Sequence, residues 1–192
     1  MHPPDVLVTV EQSLLAHFGH RPLRASISFV GVEPIEVLRF EPMSGERAFV
    51  TLGMSRHPMT GADEAIRSAS GPRAELVLHI RDPADRHAAV WRRLAVLAAS
   101  PAVEGVVYTP GMTVDIGEPM TADSMCTGVV VIESAIAAVE TEAGPVTILR
   151  AVPATPNELA WCRVRGSAGL LERWTEAGAD LLNLAREPVR LD

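Results

Sequence analysis

The sequence contains no lysine, so all 17 of its basic side chains are arginines. Aromatic residues make up only 4% of the 192 residues, and aliphatic side chains must therefore supply most of the core packing. The hydrophobic share of 47% is enough for a chain of this length to bury roughly 70% of its unfolded surface in one domain. Because neither an internal repeat nor a linker interrupts the pattern, we expect residues 1–192 to form a single domain.

Long apolar runs and cysteine motifs are missing as well. The longest candidate for a membrane span, residues 128–139, is interrupted by Glu133 and Ser134. The first twelve residues lack the basic and apolar regions of a signal peptide. Cys126 and Cys162 have neither metal-binding nor redox spacing, which favours two reduced, buried thiols. These observations predict a cytoplasmic protein that makes no membrane contact.

Basic residues are absent from one long segment of the chain. Between Leu94 and Leu149 there is no lysine, arginine or histidine. The segment contains seven acids, which are Glu104, Asp115, Glu118, Asp123, Glu133, Glu140 and Glu142. The remainder holds 17 acids and 17 arginines, so the formal net charge of −7 comes entirely from this segment. The charge argues against nucleic acid as a partner and favours a basic protein, the alternative being a surface that only aids solubility.

Signatures of the common enzyme classes are missing too. The sequence has no phosphate loop, dinucleotide glycine fingerprint, GxSxG elbow or HExxH motif. His17 and His20 have the spacing of two ligands on a helix, but Gly19 predicts a helix end between them and no third ligand is near. We therefore expect no metal and no other cofactor. For His79, on the mixed face of a strand, we expect a hydrogen-bonded structural role.

The loop at residues 53–59 brings serine, arginine and histidine close together. Ser55 and His57 are a conceivable nucleophile and base of a hydrolase, although no third group is evident to orient the histidine. Arg56 and His57, flanked by two methionines, also suit an adaptable contact surface. The third interpretation is structural, with the methionines holding the loop on the core. We favour the structural interpretation, then binding, and catalysis least.

Hydrophobic periodicity predicts an α+β fold with a mixed, mainly antiparallel sheet and packed helices. Residues 74–80 alternate as a strand, and Asp82 followed by Pro83 predicts the cap of a helix that buries Trp91 against it and ends at Pro101. Further strands are expected at 24–30, 35–40, 47–52, 103–108, 129–132 and 146–152. Helices are expected at 5–18, 155–165 and 168–177, and Ser167 is expected to cap the last of them. The connections should include a helical turn at 62–68, an irregular loop at 109–123 and a hairpin turn at 141–144.

Four stretches of sequence follow the order and spacing of a known family. They are Val50-Thr51-Leu52-Gly53-Met54-Ser55 with Pro58-Met59, then Glu75-Leu76-Val77-Leu78 before the Trp91 helix, then Pro110-Gly111-Met112-Thr113 with Gly117 and Pro119, and finally Val152-Pro153 with Thr155 to Glu158, Gly166-Ser167 and Leu170-Leu171. On these stretches the chain resembles the suppressor of fused family, in its short bacterial form, from about Phe18 to Arg186. Met112 departs from the pattern, in which a more polar residue is expected.

The resemblance implies a non-enzymatic domain that binds other proteins. Animal relatives hold a short extended peptide of a transcription factor, and bacterial relatives act as immunity proteins that neutralise toxins. An acidic inhibitor would associate quickly with a basic toxin domain. We therefore expect Asp115, Glu118 and Asp123, together with Arg56 and His57, to contact such a partner. The alternative is a general adaptor or regulator that holds an extended peptide, and a hydrolase that uses the loop at residues 53–59 is the least favoured interpretation.

Overall fold

The structure is a computed structural model that describes residues 5–42, 45–63, 70–81 and 88–191. Its strands are β1 (Leu23–Phe29), β2 (Val32–Phe40), β3 (Glu46–Leu52), β4 (Arg73–Arg81), β5 (Thr113–Asp115), β6 (Gly128–Glu133) and β7 (Val146–Ala154), and its helices are α1 (Val6–Phe18), α2 (Ala88–Glu104), α3 (Pro156–Arg165) and α4 (Ser167–Glu176). These seven strands form one sheet in the order β1-β2-β3-β4-β7-β6-β5. Only the central β4–β7 pair is parallel, which confirms the predicted mixed, mainly antiparallel α+β fold.

The first helix forms where the sequence predicts it, because its ends carry their own signals. The side chain of Asp5 accepts a hydrogen bond from the Leu7 N–H at 3.1 Å, and so caps the start of α1. Gly19 ends the helix in the left-handed conformation. Val10 and Leu14 are fully buried against one face of β2, β3 and β4, and these contacts form the first of two clusters on that face.

The other face of the sheet is covered by α2 and the long loops. The faces of β4 are buried along most of the strand, and α2 buries Leu94 and Leu97 in the larger core cluster. Trp91 lies edge-on to Phe49 with the ring centroids 5.2 Å apart, but it is partly rather than largely buried. The fully buried tryptophan is Trp174 on α4.

Contrary to prediction, α2 does not end at Pro101 but continues to Glu104. A proline inside a helix has no N–H to give to the carbonyl four residues earlier, which here belongs to Leu97. The buried hydroxyl of Tyr108 donates to that carbonyl at 2.8 Å and replaces the missing bond. The predicted strand at 103–108 is therefore wrong, since its first residues are helical and Tyr108 turns back onto the helix.

The C-terminal helices cover the remaining part of the α1 face. Thr155 and Glu158 form the predicted capping box at the start of α3. The predicted capping by Ser167 is wrong: Ser167 is the first residue of α4, whose N-cap is Gly166, with no side-chain cap. Trp174, Leu170 and Leu159 form the second cluster on this face, against Val130 and Val152 of the sheet.

The structure also tests the predicted irregular loop at 109–123 and the predicted hairpin turn at 141–144. The predicted irregular loop at 109–123 contains the short strand β5, which pairs with β6 at the outer edge of the sheet. A Cβ at Gly128 would collide with the backbone of β5, so glycine is required for this close approach. The hairpin turn at 141–144 is confirmed. Asp82 and Pro83, the predicted cap of α2, and most of the predicted turn at 62–68 lie outside the described residues.

Candidate protein-binding surface

The loop at residues 53–59 is held by a carboxylate buried beneath it. Glu75 on β4 is fully buried, and its Oε1 accepts hydrogen bonds from the N–H groups of Gly53 and Ser55 at 2.8 and 3.0 Å. The hydroxyl of Ser55 donates to the same oxygen at 2.7 Å, and Thr51 donates to Oε2 at 2.5 Å. Gly53 has a φ of 142°, a conformation that side chains disfavour. The carboxylate therefore fixes the start of the loop.

Arg73, also on β4, holds the same loop from its carbonyl side. Its Nη1 donates to the carbonyl oxygens of Ser55 and Arg56 at 2.8 and 2.7 Å. Burial lowers the pKa of the Arg73 guanidinium. Together, Glu75 and Arg73 satisfy the backbone of a turn that would otherwise be buried without partners. The structure thus supports the structural interpretation of the loop.

The same contacts separate the two residues of the hydrolase interpretation. Ser55 is fully buried and bonded to Glu75, whereas the His57 ring is 65% exposed and its Nε2 lies 2.5 Å from Glu33 Oε2. Arg56 lies 3.5 Å from the other oxygen of Glu33. Arg56 and His57 are thus brought together on the surface by Glu33, and Ser55 is withdrawn from it.

A cavity of about 280 Å³ opens beside this surface group. Its walls come from the β1–β2 turn, the loop at residues 53–59 and the C-terminal end of α2, and they include Val32, Met54, Pro58 and Pro101. The mixture of apolar wall and charged rim is typical of places where a partner inserts a side chain. Arg56 and His57 therefore lie at a concave, accessible part of the molecule.

All seven acids of the unbalanced segment are exposed. The fold nevertheless divides the six acids that follow α2 between two ends of the sheet, and Glu104 is the last residue of α2. Asp115 pairs with Gly128 at the start of β6, while Glu133 ends that strand, and six strand residues separate the ends by roughly 17 Å. Glu140 and Glu142 belong to the hairpin turn at the Glu133 end. The predicted acidic surface is therefore two surfaces, and only one contains the three predicted contact residues.

The three predicted contact residues are held differently from one another. Asp115 accepts a hydrogen bond from the Gly117 N–H at 2.9 Å. Asp123 accepts one from the Thr121 hydroxyl at 3.1 Å. Glu118 forms an ion pair with Arg93 of α2, which also donates to the Pro119 carbonyl at 3.1 Å. The folded chain therefore compensates part of the charge of Glu118.

His20 is bonded to the backbone, and both cysteines are buried free thiols. Both ring nitrogens of His20 are within hydrogen-bonding distance of backbone groups, the Phe18 carbonyl and the Glu41 N–H. Burial raises the pKa of the Cys126 and Cys162 thiols. Residues 5–42, 45–63, 70–81 and 88–191 contain no group of three or more potential metal ligands, and none of their helices is long and apolar enough to cross a bilayer.

Sequence reasoning missed a buried ionic network at the C-terminal helices. Glu158 is fully buried and bonds Arg186, whose Nη1 and Nη2 both lie 2.7 Å from its carboxylate oxygens. The indole N–H of Trp174 donates to the same carboxylate at 3.0 Å. The capping-box pattern marked Glu158 for the helix start, but no local pattern points to Arg186, 28 residues later. The network fastens the C-terminal segment onto α3 and α4.

A second feature that was missed is a cationic gap in the α1 face of the sheet. Arg150 on β7 and His79 on β4 are both half-buried there. The expected hydrogen bond of His79 is not found among the described residues. The only sequence signal for this gap was the mixed face of the central strand.

A family model described as "Suppressor of fused protein (SUFU)" matches residues 31–187. No curated protein sequence gives a significant match.

Three solved structures share the fold. A suppressor of fused homologue from Neisseria gonorrhoeae has 17% identity and a TM-score of 0.71, with 98% of each chain covered. A chain of a Sufu–Fu complex crystal structure has 15% identity and a TM-score of 0.73, with coverage of 96% of this chain and 92% of the other. Drosophila Suppressor of Fused has 15% identity and a TM-score of 0.67, and this chain spans about half its length, 51%.

Proposed function

The chain belongs to the suppressor of fused family, a regulatory family of protein-binding domains, and from this premise we propose that it is a cytoplasmic immunity protein. In this proposal residues 1–192 form one non-enzymatic domain that binds a basic toxin domain and blocks it. The proposal includes neither nucleic acid nor a membrane as partner.

The observation that carries the proposal is the exposed acidic segment. The segment of 56 residues has seven exposed acids and no basic residue, and arginines from other segments, such as Arg93 at Glu118, compensate only part of this charge. The negative field that remains would accelerate association with a basic protein. Asp115 lies on the edge strand β5, which is only three residues long, and Glu118 and Asp123 lie in the loop that follows it. This edge is our proposed toxin-binding surface, and Arg56 and His57 beside their cavity form a second contact.

The partner can be identified by affinity capture from the native host followed by mass spectrometry. A neighbouring reading frame that encodes a secreted protein with a variable C-terminal toxin domain would favour the immunity role over a general adaptor. The captured partner then serves in a test of the binding surface.

The test changes Asp115→Arg and Asp123→Arg together with Glu118→Gln, since an arginine at position 118 would face Arg93. We expect the association rate to fall about tenfold or more at low salt, with a smaller loss at moderate salt, because salt screens exposed charges.

The control makes the same change of net charge at the other end of the sheet, with Glu133→Arg, Glu142→Arg and Glu140→Gln. The control should retain at least half of the wild-type rate. Equal losses in both variants would mean that only net charge matters, and unchanged rates in both would remove the acidic edge from the interface.

A general adaptor that holds an extended peptide is the second candidate, and the free edge of β1 favours it. The outer side of this seven-residue strand pairs with no strand of the described chain, and Leu23 is exposed. Edge strands of this length can accept an added peptide strand. Slowed amide exchange along β1 on binding the captured partner would favour the adaptor, whereas protection of β5 would favour the toxin-binding surface.

A further inference from the structure

Arg150 lies on the α1 face of the sheet, in its middle. It pairs with Ile132 of β6 on one side and with Val77 of β4 on the other. Its neighbours on the same face of β7 are Ile148 and Val152, which are almost completely buried. Arg150 is therefore a charged residue among aliphatic neighbours on this face of the sheet.

The two clusters that cover this face meet at Arg150. Ile148 and Val77 belong to the cluster under α1, whereas Val152 belongs to the cluster under α3 and α4. Arg150 is half-buried, and so is Ile132 beside it. Arg150 and Ile132 therefore keep access to solvent where the two clusters meet, and the aliphatic side chains of Ile148, Val77 and Val152 flank them.

Arg150 differs from Arg73 and Arg186 in having no partner among the residues that the structure describes. Arg73 donates to two carbonyl oxygens, and Arg186 pairs with the Glu158 carboxylate. No hydrogen bond or ion pair joins Arg150 to any described residue, and burial lowers the pKa of its guanidinium. A guanidinium that has lost part of its hydration without gaining an acceptor is a binding group for an oxyanion.

His79 stands next to this group on the same face, two residues after Val77 on β4. Burial lowers the pKa of its imidazole most, and the charges of Arg150 and His17 lower it further, while Glu46 acts in the opposite direction. The ring is therefore neutral at neutral pH and can offer one N–H donor beside the guanidinium.

We propose that the gap at Arg150 and His79 binds a carboxylate, carried by an acidic side chain of a bound protein partner. One guanidinium and one neutral imidazole match a single negative charge, and the planar fork of arginine fits the two carboxylate oxygens. A doubly charged phosphate group would need more cations than this single guanidinium supplies. The aliphatic neighbours of Arg150 suit the methylene groups of an acidic side chain. The proposal rests on the chain being a protein-binding domain, not on the partner being a toxin.

The test uses the isolated full chain and needs no natural partner. Acetyl-Gly-Glu-Gly-amide and its neutral match, acetyl-Gly-Gln-Gly-amide, are titrated into labelled protein at constant ionic strength, and the NMR signals of Arg150 Nε and the His79 ring are followed. The Glu peptide should shift both signals saturably and raise the pKa of His79. The Gln peptide should not.

Arg150→Gln should weaken the response at His79 about tenfold or more, because a charge-assisted hydrogen bond is lost. Arg92→Gln, the same change on the exposed side of α2 over the opposite face, should leave it unaltered. If Arg150→Gln does not fold, Arg150→Lys keeps the charge and should give weaker binding without the paired geometry.

An absent shift, an equal response to the Gln peptide, or an unchanged response in the Arg150 variants would overturn the proposal. Tighter binding of inorganic sulfate than of the Glu peptide would overturn the assignment to a carboxylate. Because no toxin is present, failure here and failure of the immunity role are separate results.

Discussion

Replacing the buried Arg186 by methionine should destabilise the protein more than the same replacement of an exposed arginine that forms an ion pair. Methionine keeps much of the side-chain volume but leaves the Glu158 carboxylate buried without its cation. Removal of one partner of a buried ion pair costs about 3–5 kcal/mol, since the remaining charge stays desolvated. Three donors remain at Glu158, from the Trp174 indole and the backbones of Thr155 and Val189, which places the expected loss near the lower limit.

The assay is urea unfolding at neutral pH, followed by tryptophan fluorescence. Arg81→Met is the matched control, because Arg81 pairs with Glu46 and Asp180 but is half-exposed. Exposed pairs contribute about 0–1 kcal/mol. A loss in Arg186→Met no larger than the loss in Arg81→Met would refute the reasoning.

The pH dependence gives an independent check. Burial alone would raise the pKa of Glu158, but hydrogen bonds from Arg186, Thr155 and Trp174, with the charge of Arg186, together hold it below its usual value of 4.5. The folded state therefore binds this proton less readily than the unfolded state. The stability that the carboxylate contributes is present above pH 4.5 and is lost as the pH falls through the lower, folded pKa. The stability difference between wild type and Glu158→Gln should shrink over the same range. A difference that persists well below it would contradict the argument.

The remaining predictions concern two contacts that lie away from the C-terminal network. Glu75→Gln should cost at least about 2 kcal/mol, because a buried amide cannot accept all the hydrogen bonds that hold the loop at residues 53–59. Limited proteolysis should then cut this loop faster, whereas Glu36→Gln, at a more exposed ion pair, should leave the rate unchanged. Tyr108→Phe should cost about 1–3 kcal/mol by leaving the Leu97 carbonyl unpaired. In a Pro101→Ala background this cost should fall below about 1 kcal/mol, since alanine restores the helical donor, and equal costs in both backgrounds would exclude that explanation.

The sequence by itself determined the elements whose signals are local. The helix α1, the capping box at Thr155 and Glu158, and the strand β4 were each predicted from residues that are neighbours in the chain. The segmental charge is also a property of sequence alone.

Only the tertiary structure decided the features that depend on distant partners. Pro101 stays inside a helix because Tyr108 folds back to the freed carbonyl, and no helix signal contains that contact. The strand β5 exists because β6 lies beside it. The charge of Glu118 is partly compensated by its ion pair with Arg93, 25 residues earlier.

The buried charged residues also depend on both sequence and tertiary structure. Periodicity placed Glu75 and His79 on one face of a strand. It could not predict whether either side chain would have a hydrogen-bond partner in the folded protein. The fold gave Glu75 four donors from another segment and gave Arg150 no acceptor from the described chain. Periodicity reports which side of an element is buried, whereas hydrogen-bond partners depend on how the elements are arranged. The candidate carboxylate site therefore could not be predicted from the sequence, because it depends on a charge that has no partner within residues 5–42, 45–63, 70–81 and 88–191.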